Sequence, residues 1–158
     1  MKNNKYINFF LILTFFLILT SCKANSLEYK KEEIKNTRLL NFFKEENKNC
    51  TVITAGEKDI NSDGKEDIVV IFKHNDNSHG HVGEVEFTVV INEESLKALK
   101  HYKAPVENQK IEFKDIDKKE PIEFIISGSK NSNIGYSIYR FENNEVIDIF
   151  GSGSMDAC

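Results

Sequence analysis

The chain has 158 residues, a formal net charge of −4, no tryptophan and three cysteines. An acidic surface of this kind argues against a nucleic-acid partner and against a polybasic lipid-binding patch, both of which need clustered Lys and Arg. The sequence carries no nucleophile elbow, no zinc-protease helix motif and no phosphate-cradling glycine loop, so the reading is of a non-enzymatic protein.

Residues 1–21 read as a targeting segment. Lys2 and Lys5 supply a positive start, and residues 7–19 are apolar apart from Asn8 and Thr14, which is short for a helix that must span a bilayer. The run ends Leu19-Thr20-Ser21-Cys22. Small residues just before a cysteine form a lipobox pattern, which predicts cleavage and acylation of Cys22; the alternative is an uncleaved anchor followed by an uninvolved cysteine. Either way the protein sits on the extracytoplasmic face of a bacterial cell membrane, held firmly if Cys22 carries two acyl chains, where one would bind only reversibly. Cleavage leaves 137 residues with 19 basic and 25 acidic side chains, net −6. That length suits one domain with a real core.

Residues 22–26 form a polar tether. Ser26 is a candidate helix cap, and Ile34, Leu39, Phe42 and Phe43 lie on one broad face opposite Lys30, Lys31, Lys35, Lys44 and Glu45, predicting an amphipathic helix over 27–47 packed on the rest of the domain. From Cys50 the pattern turns to β. Residues 51–55 predict a strand entering a loop and residues 68–72 a buried strand leaving it.

That loop, Asp59-Ile60-Asn61-Ser62-Asp63-Gly64-Lys65-Glu66-Asp67, sets oxygen side chains at positions 59, 61 and 63, a turn-forming glycine, and a closing carboxylate at 67. Side-chain oxygens of Asp59, Asn61, Asp63 and Asp67 with the Lys65 carbonyl suit calcium, which takes six to eight oxygens. An EF-hand would place Glu where Val70 stands, so the loop is not an EF-hand. It resembles the calcium loops of FG-GAP and VCBS-type β-blades, which join two strands. The competing reading is an Asx-rich turn with no ion. A shift of 56 residues pairs Asp59 with Asp115, Ile60 with Ile116, Asn61 with Asp117, Asp67 with Glu123 and Ile68-Val69-Val70 with Phe124-Ile125-Ile126. In this second copy Asp63 becomes Lys119 and Gly64 becomes Glu120, and an ammonium among calcium ligands repels the ion. The mature chain therefore reads as two related β-units, 50–103 and 104–150, within one β-rich domain over 27–150.

Residues 74–81 hold three histidines in a polar loop; His74, His79 and His81 are a candidate transition-metal set set against a plain solvated loop. Residues 84–91 alternate as a half-buried strand, and 92–102 predict a short helix or a strand. Pro105 marks the boundary between the units. In the second unit, residues 135–141 and 146–150 predict a hairpin across Glu142-Asn143-Asn144-Glu145. Residues 151–158 form a Gly/Ser tail ending at Cys158. With Cys22 acylated, Cys50 and Cys158 remain: a disulfide, a functional exposed thiol that prefers soft metals, or an incidental cysteine.

Residues 104–113, Ile125-Ile126-Ser127-Gly128-Ser129-Lys130, Gly135-Tyr136 and Phe150-Gly151 through Cys158 resemble the Cys-Cys-COOH (seleno)protein SaoC family, most closely over the C-terminal third. The resemblance implies a lipoprotein beside an ABC-type or other membrane transporter, handling soft or organometallic species. The family's tail carries two adjacent thiols, or selenocysteine and cysteine; here Ala157 precedes Cys158, and a lone thiol captures a soft metal without chelating it. The expected fold is mainly β, two related units arranged as a partial propeller or a sandwich with one packed N-terminal helix. The expected function is binding of a soft metal at Cys158 on a calcium-stabilised scaffold. The alternative is a calcium-dependent extracellular module for protein or glycan, with no thiol role.

Overall fold

The structure, a computed structural model, describes residue 34 and residues 36–75, 84–131 and 133–150. Cys22, His79, His81 and Cys158, with the targeting segment, tether and tail, lie outside the described residues. The described part is mainly β: one helix, α1 (Thr37–Glu46), precedes nine strands. These are β1 (Cys50–Lys58), β2 (Asp67–His74), β3 (Val85–Asn92), β4 (Leu96–Ala98), β5 (Tyr102–Lys103), β6 (Glu107–Lys114), β7 (Glu123–Lys130), β8 (Asn133–Glu142) and β9 (Glu145–Asp148).

The strands form two antiparallel meanders. The first runs β1-β2-β3-β4, with β5 joining β4 along the same edge of β3; the second runs β6-β7-β8-β9. The uncertain stretch 92–102 is therefore strand, and its two short pieces complete the outer edge of the first sheet. The turn after β8 has positive φ at both Asn143 (52°) and Asn144 (62°), the twist that a two-residue hairpin prefers.

Of the helix predicted over 27–47, the described residues show α1 at Thr37–Glu46. Asn36 is not helical (φ −90°, ψ 80°), and its amide donates to Glu57 Oε2 on β1 at 3.2 Å. That contact ties the start of α1 to the first sheet; residues 27–33 and 35, the rest of the predicted helix, lie outside the described residues. Asn47, whose amide returns to the Phe43 carbonyl, ends it.

Packing decides between the two expected arrangements. Ile68, Val70, Phe72 and Val90 project from one face of the first sheet and pack under Leu39 and Phe43 of α1. Val69, Ile71, Phe87, Val89 and Ile91 project from the other face and pack on Ile111, Phe124, Ile126, Tyr139 and Phe141 of the second sheet. The 56-residue shift maps Ile68 and Val70 onto Phe124 and Ile126, so equivalent faces point the same way in both sheets. The layers thus stack head to tail, as blades do in a propeller, rather than face to face as in a symmetric sandwich. Among the described residues no closed barrel forms, and the far face of the second sheet leaves Tyr136 and Ile134 exposed. An aromatic cluster holds the layers together: Phe87 lies 5.0 Å from Tyr102, 4.9 Å from Tyr139 and 6.0 Å from Phe124.

Candidate functional site

The two loops predicted from the repeat adopt one backbone conformation. Ser62 and Lys118 are equivalent and have φ of 61° and 60°. The Asp63 amide donates to Asn61 Oδ1 at 3.1 Å, and the Lys119 amide donates to Asp117 Oδ1 at 3.0 Å. The Ile60 amide donates to Asp67 Oδ2 at 3.1 Å, and the Ile116 amide donates to Glu123 Oε2 at 2.9 Å. The loops also touch, through a 2.6 Å hydrogen bond from the Ser62 hydroxyl to Glu120 Oε2. They diverge at Gly64, whose φ of 83° suits glycine; its counterpart Glu120 precedes a cis proline, Pro121.

In the first loop the oxygens are organised by backbone amides. Asp59 accepts from Asp63 N (3.2 Å) and Gly64 N (2.8 Å), and Asp63 Oδ1 accepts from Lys65 N (2.8 Å). Asp67 is fully buried at the head of β2; besides Ile60 N it accepts from Asn92 N at 2.8 Å. Burial is the main cause pushing its carboxyl up to about 6; the two amides work against that and the nearby Asp63 and Asp59 add to it. A buried carboxylate with acidic neighbours gains from a cation. The Asp59, Asp63 and Asp67 carboxylates are not among the groups gathered closely enough to share an ion in this conformation, whereas Asp115, Asp117 and Glu123 of the second loop are.

The second loop already holds a cation of its own. Arg140, from β8, pairs with the fully buried Glu123, with Asp117 at 2.7 Å and with Glu142 at 3.5 Å. The hydrogen bond from Arg140 holds the Asp117 carboxyl below its ordinary range, and that same bond raises the guanidinium's own pKa. The sequence reading looked to Lys119 for the offending charge; the charge among the carboxylates comes from Arg140, a distant strand residue that loop spacing does not reveal. The register explains the asymmetry. Continuing the β7–β8 register by one places Glu123 opposite Arg140 on the far face of the second sheet, away from the core between the layers. Continuing the β2–β3 register by one places Ile91 opposite Asp67, where the side chain is packed between the layers and a guanidinium would be desolvated.

No protein-family model matches the chain, and no curated protein and no solved structure is similar to it. The resemblance to the Cys-Cys-COOH family rests on the quoted residues alone.

The histidine reading changes partners. His74, at the end of β2, does not stand over a solvated loop: it is 2 % exposed, its Nε2 lies 2.7 Å from Glu86 Oε2, and its Nδ1 lies 3.5 Å from Cys50 Sγ. His101 Nδ1 lies 3.3 Å from the same Glu86 oxygen. Both imidazoles pack in T-shaped fashion with the Phe72 ring, centroids 5.3 Å and 4.9 Å away, and Phe72 packs 5.0 Å from Phe43. Glu86 and His101 escaped the sequence reading because they lie 12 and 27 residues beyond His74. The only signal was parity: in the antiparallel pairing of β2 with β3, Phe72 stands opposite Glu86. Cys50, for which a disulfide with Cys158 was one of the alternatives, sits at the opposite edge of this group; Cys158 lies outside the described residues.

Proposed function

We propose that the protein is a lipid-anchored extracytoplasmic binding module in which calcium clasps the loop Asp59–Asp67 and Cys158 presents a thiol to soft metals or organometallic species beside a membrane transporter. The observation that carries the calcium reading is the pair of isostructural loops with unequal charge balance. Arg140 neutralises the second loop from within, while the equivalent place in the first holds Ile91 and leaves the buried Asp67 beside Asp59 and Asp63. Small rotations of the half-buried Asp59 and exposed Asp63 side chains would bring their oxygens, with Asn61 and the Lys65 carbonyl, toward Asp67. The anchoring role falls to Cys22; among the described residues no helix is long and apolar enough to cross a membrane. The thiol role is supported by the sequence resemblance and by the preference of thiolates for soft metals.

Thermal unfolding of the full chain in detergent, with calcium or with a chelator, tests the first part. Calcium at about 100 times its Kd adds roughly 2.7 kcal/mol, so the melting temperature should rise by several degrees, and Asp63→Ala should abolish the rise. An unchanged melting temperature in wild type would end the calcium reading. Soft-metal titration of wild type against Cys158→Ser tests the second; equal binding would favour a calcium-dependent module with no thiol role.

A further inference from the structure

His74, Glu86 and His101 come from β2, β3 and the β4–β5 connection, yet the ligand atoms they offer lie within 4.8 Å of one another. We infer that they form a three-ligand site for a borderline divalent transition metal of the zinc class, through His74 Nε2, a Glu86 carboxylate oxygen and His101 Nδ1. This inference is independent of calcium binding and of Cys158.

Four features carry it. Two imidazoles and one carboxylate are a donor set that zinc-class ions favour and calcium does not. Bonds of about 2.1 Å in a tetrahedron separate the donor atoms by about 3.4 Å; the contacts from Glu86 Oε2 are 2.7 Å to His74 and 3.3 Å to His101. A sub-ångström withdrawal of the Glu86 carboxylate therefore opens the space an ion needs. The third feature is Cys50. A histidine that binds metal through Nε2 carries its proton on Nδ1, and such ligands nearly always donate that N–H to an acceptor that fixes the ring. Cys50 Sγ stands at that nitrogen, which makes Cys50 a positioning residue. Fourth, burial is graded. His74 is 2 % exposed, Glu86 18 % and His101 30 %, so the site has a closed floor on Phe72 and a solvent-facing side through which an ion enters. Three protein ligands leave the fourth position to water or an incoming donor, the arrangement of exchangeable rather than purely structural zinc.

The plain alternative is a histidine–carboxylate hydrogen-bond cluster that needs no ion, and metal titration separates the two. Full-length chain in detergent is titrated with Zn²⁺ against a chromophoric chelator, then with Co²⁺ while the visible spectrum is recorded. Wild type and Cys158→Ser should each bind zinc at this site. His101→Ala and Glu86→Gln should weaken that binding by at least about 100-fold, since losing even an outer-shell partner costs about 10–100-fold. Cys50→Ala should weaken it within that smaller range. Bound Co²⁺ should give a tetrahedral spectrum without a sulfur-to-cobalt charge-transfer band, because Cys50 faces the other nitrogen. His101 and Glu86 are partly exposed, and far-UV circular dichroism verifies the fold of each variant. The cobalt spectrum of wild type stands as evidence even if a variant fails to fold. No zinc binding by wild type, zinc binding untouched by both His101→Ala and Glu86→Gln in folded variants, or a wild-type cobalt spectrum dominated by thiolate would overturn the inference.

Discussion

Replacing Arg140 by methionine should be among the most damaging single changes outside the apolar core. Its guanidinium is the counter-charge for Glu123, which is fully buried, and for Asp117 and Glu142, which are 38 % and 40 % exposed. The two exposed carboxylates re-solvate at little cost, because surface pairs contribute at most about 1 kcal/mol. Glu123 cannot re-solvate, and an orphaned buried charge costs about 3–5 kcal/mol. In a domain of this size each kcal/mol shifts the melting temperature by about 3–5 °C, so Arg140→Met should lower it by about 10–20 °C. Adding Glu123→Gln removes the orphaned charge and keeps an acceptor for the Ile116 amide, which now donates to Glu123 Oε2. The double variant should recover more than half of the loss. Urea and thermal unfolding of the four proteins in the double-mutant cycle give the coupling energy directly. A cost below about 1 kcal/mol for Arg140→Met, or a double variant no more stable than the single one, would refute the idea that this arginine replaces an ion.

Asp67, whose folded carboxyl is pushed up to about 6 from 3.8, binds a proton more readily in the folded chain than in the unfolded one. Its contribution therefore favours folding near pH 4 and is lost as pH rises through about 6, by about 3 kcal/mol. With chelator present, Asp67→Asn should flatten that part of the pH–stability profile, and a carboxyl of Asp67 titrating near pH 4 by NMR would contradict it. Phe43→Ala, which empties the contact of α1 with Phe72, should cost about 3–5 kcal/mol and release α1 to hydrogen exchange before the sheets. Gly128→Ala places a methyl 2.5 Å from Pro105 Cβ and 2.7 Å from the Glu107 carbonyl oxygen; backbone on one side leaves little room to yield, so denaturant unfolding should show a loss of about 1–3 kcal/mol.

Much of the β architecture was legible because period-two patterning and the loop repeat are local signals. The runs 68–72 and 84–91 announce β2 and β3, and the match of Asp59–Asp67 to Asp115–Glu123 extends to shared hydrogen bonds and a shared positive φ. The helix start was not legible. Its helix-forming composition continues upstream into residues outside the described ones, and the non-helical Asn36, bonded to Glu57 on a distant strand, is not signalled by that composition. The two charge clusters were legible only by halves for the same reason. Arg140 and Glu123, like His74, Glu86 and His101, are brought together by strand pairing, and no spacing rule within one segment carries that information.

Stacking in one sense gives this molecule a direction. One terminal surface is roofed by α1, with Phe43 seated over Phe72; on the opposite one, among the described residues, Ile134 is 85 % exposed and Tyr136 is 45 % exposed beside Phe150. Among the described residues, α1 takes the place on the first sheet where a further blade of the same kind would stack, whereas no described element takes the equivalent place on the second.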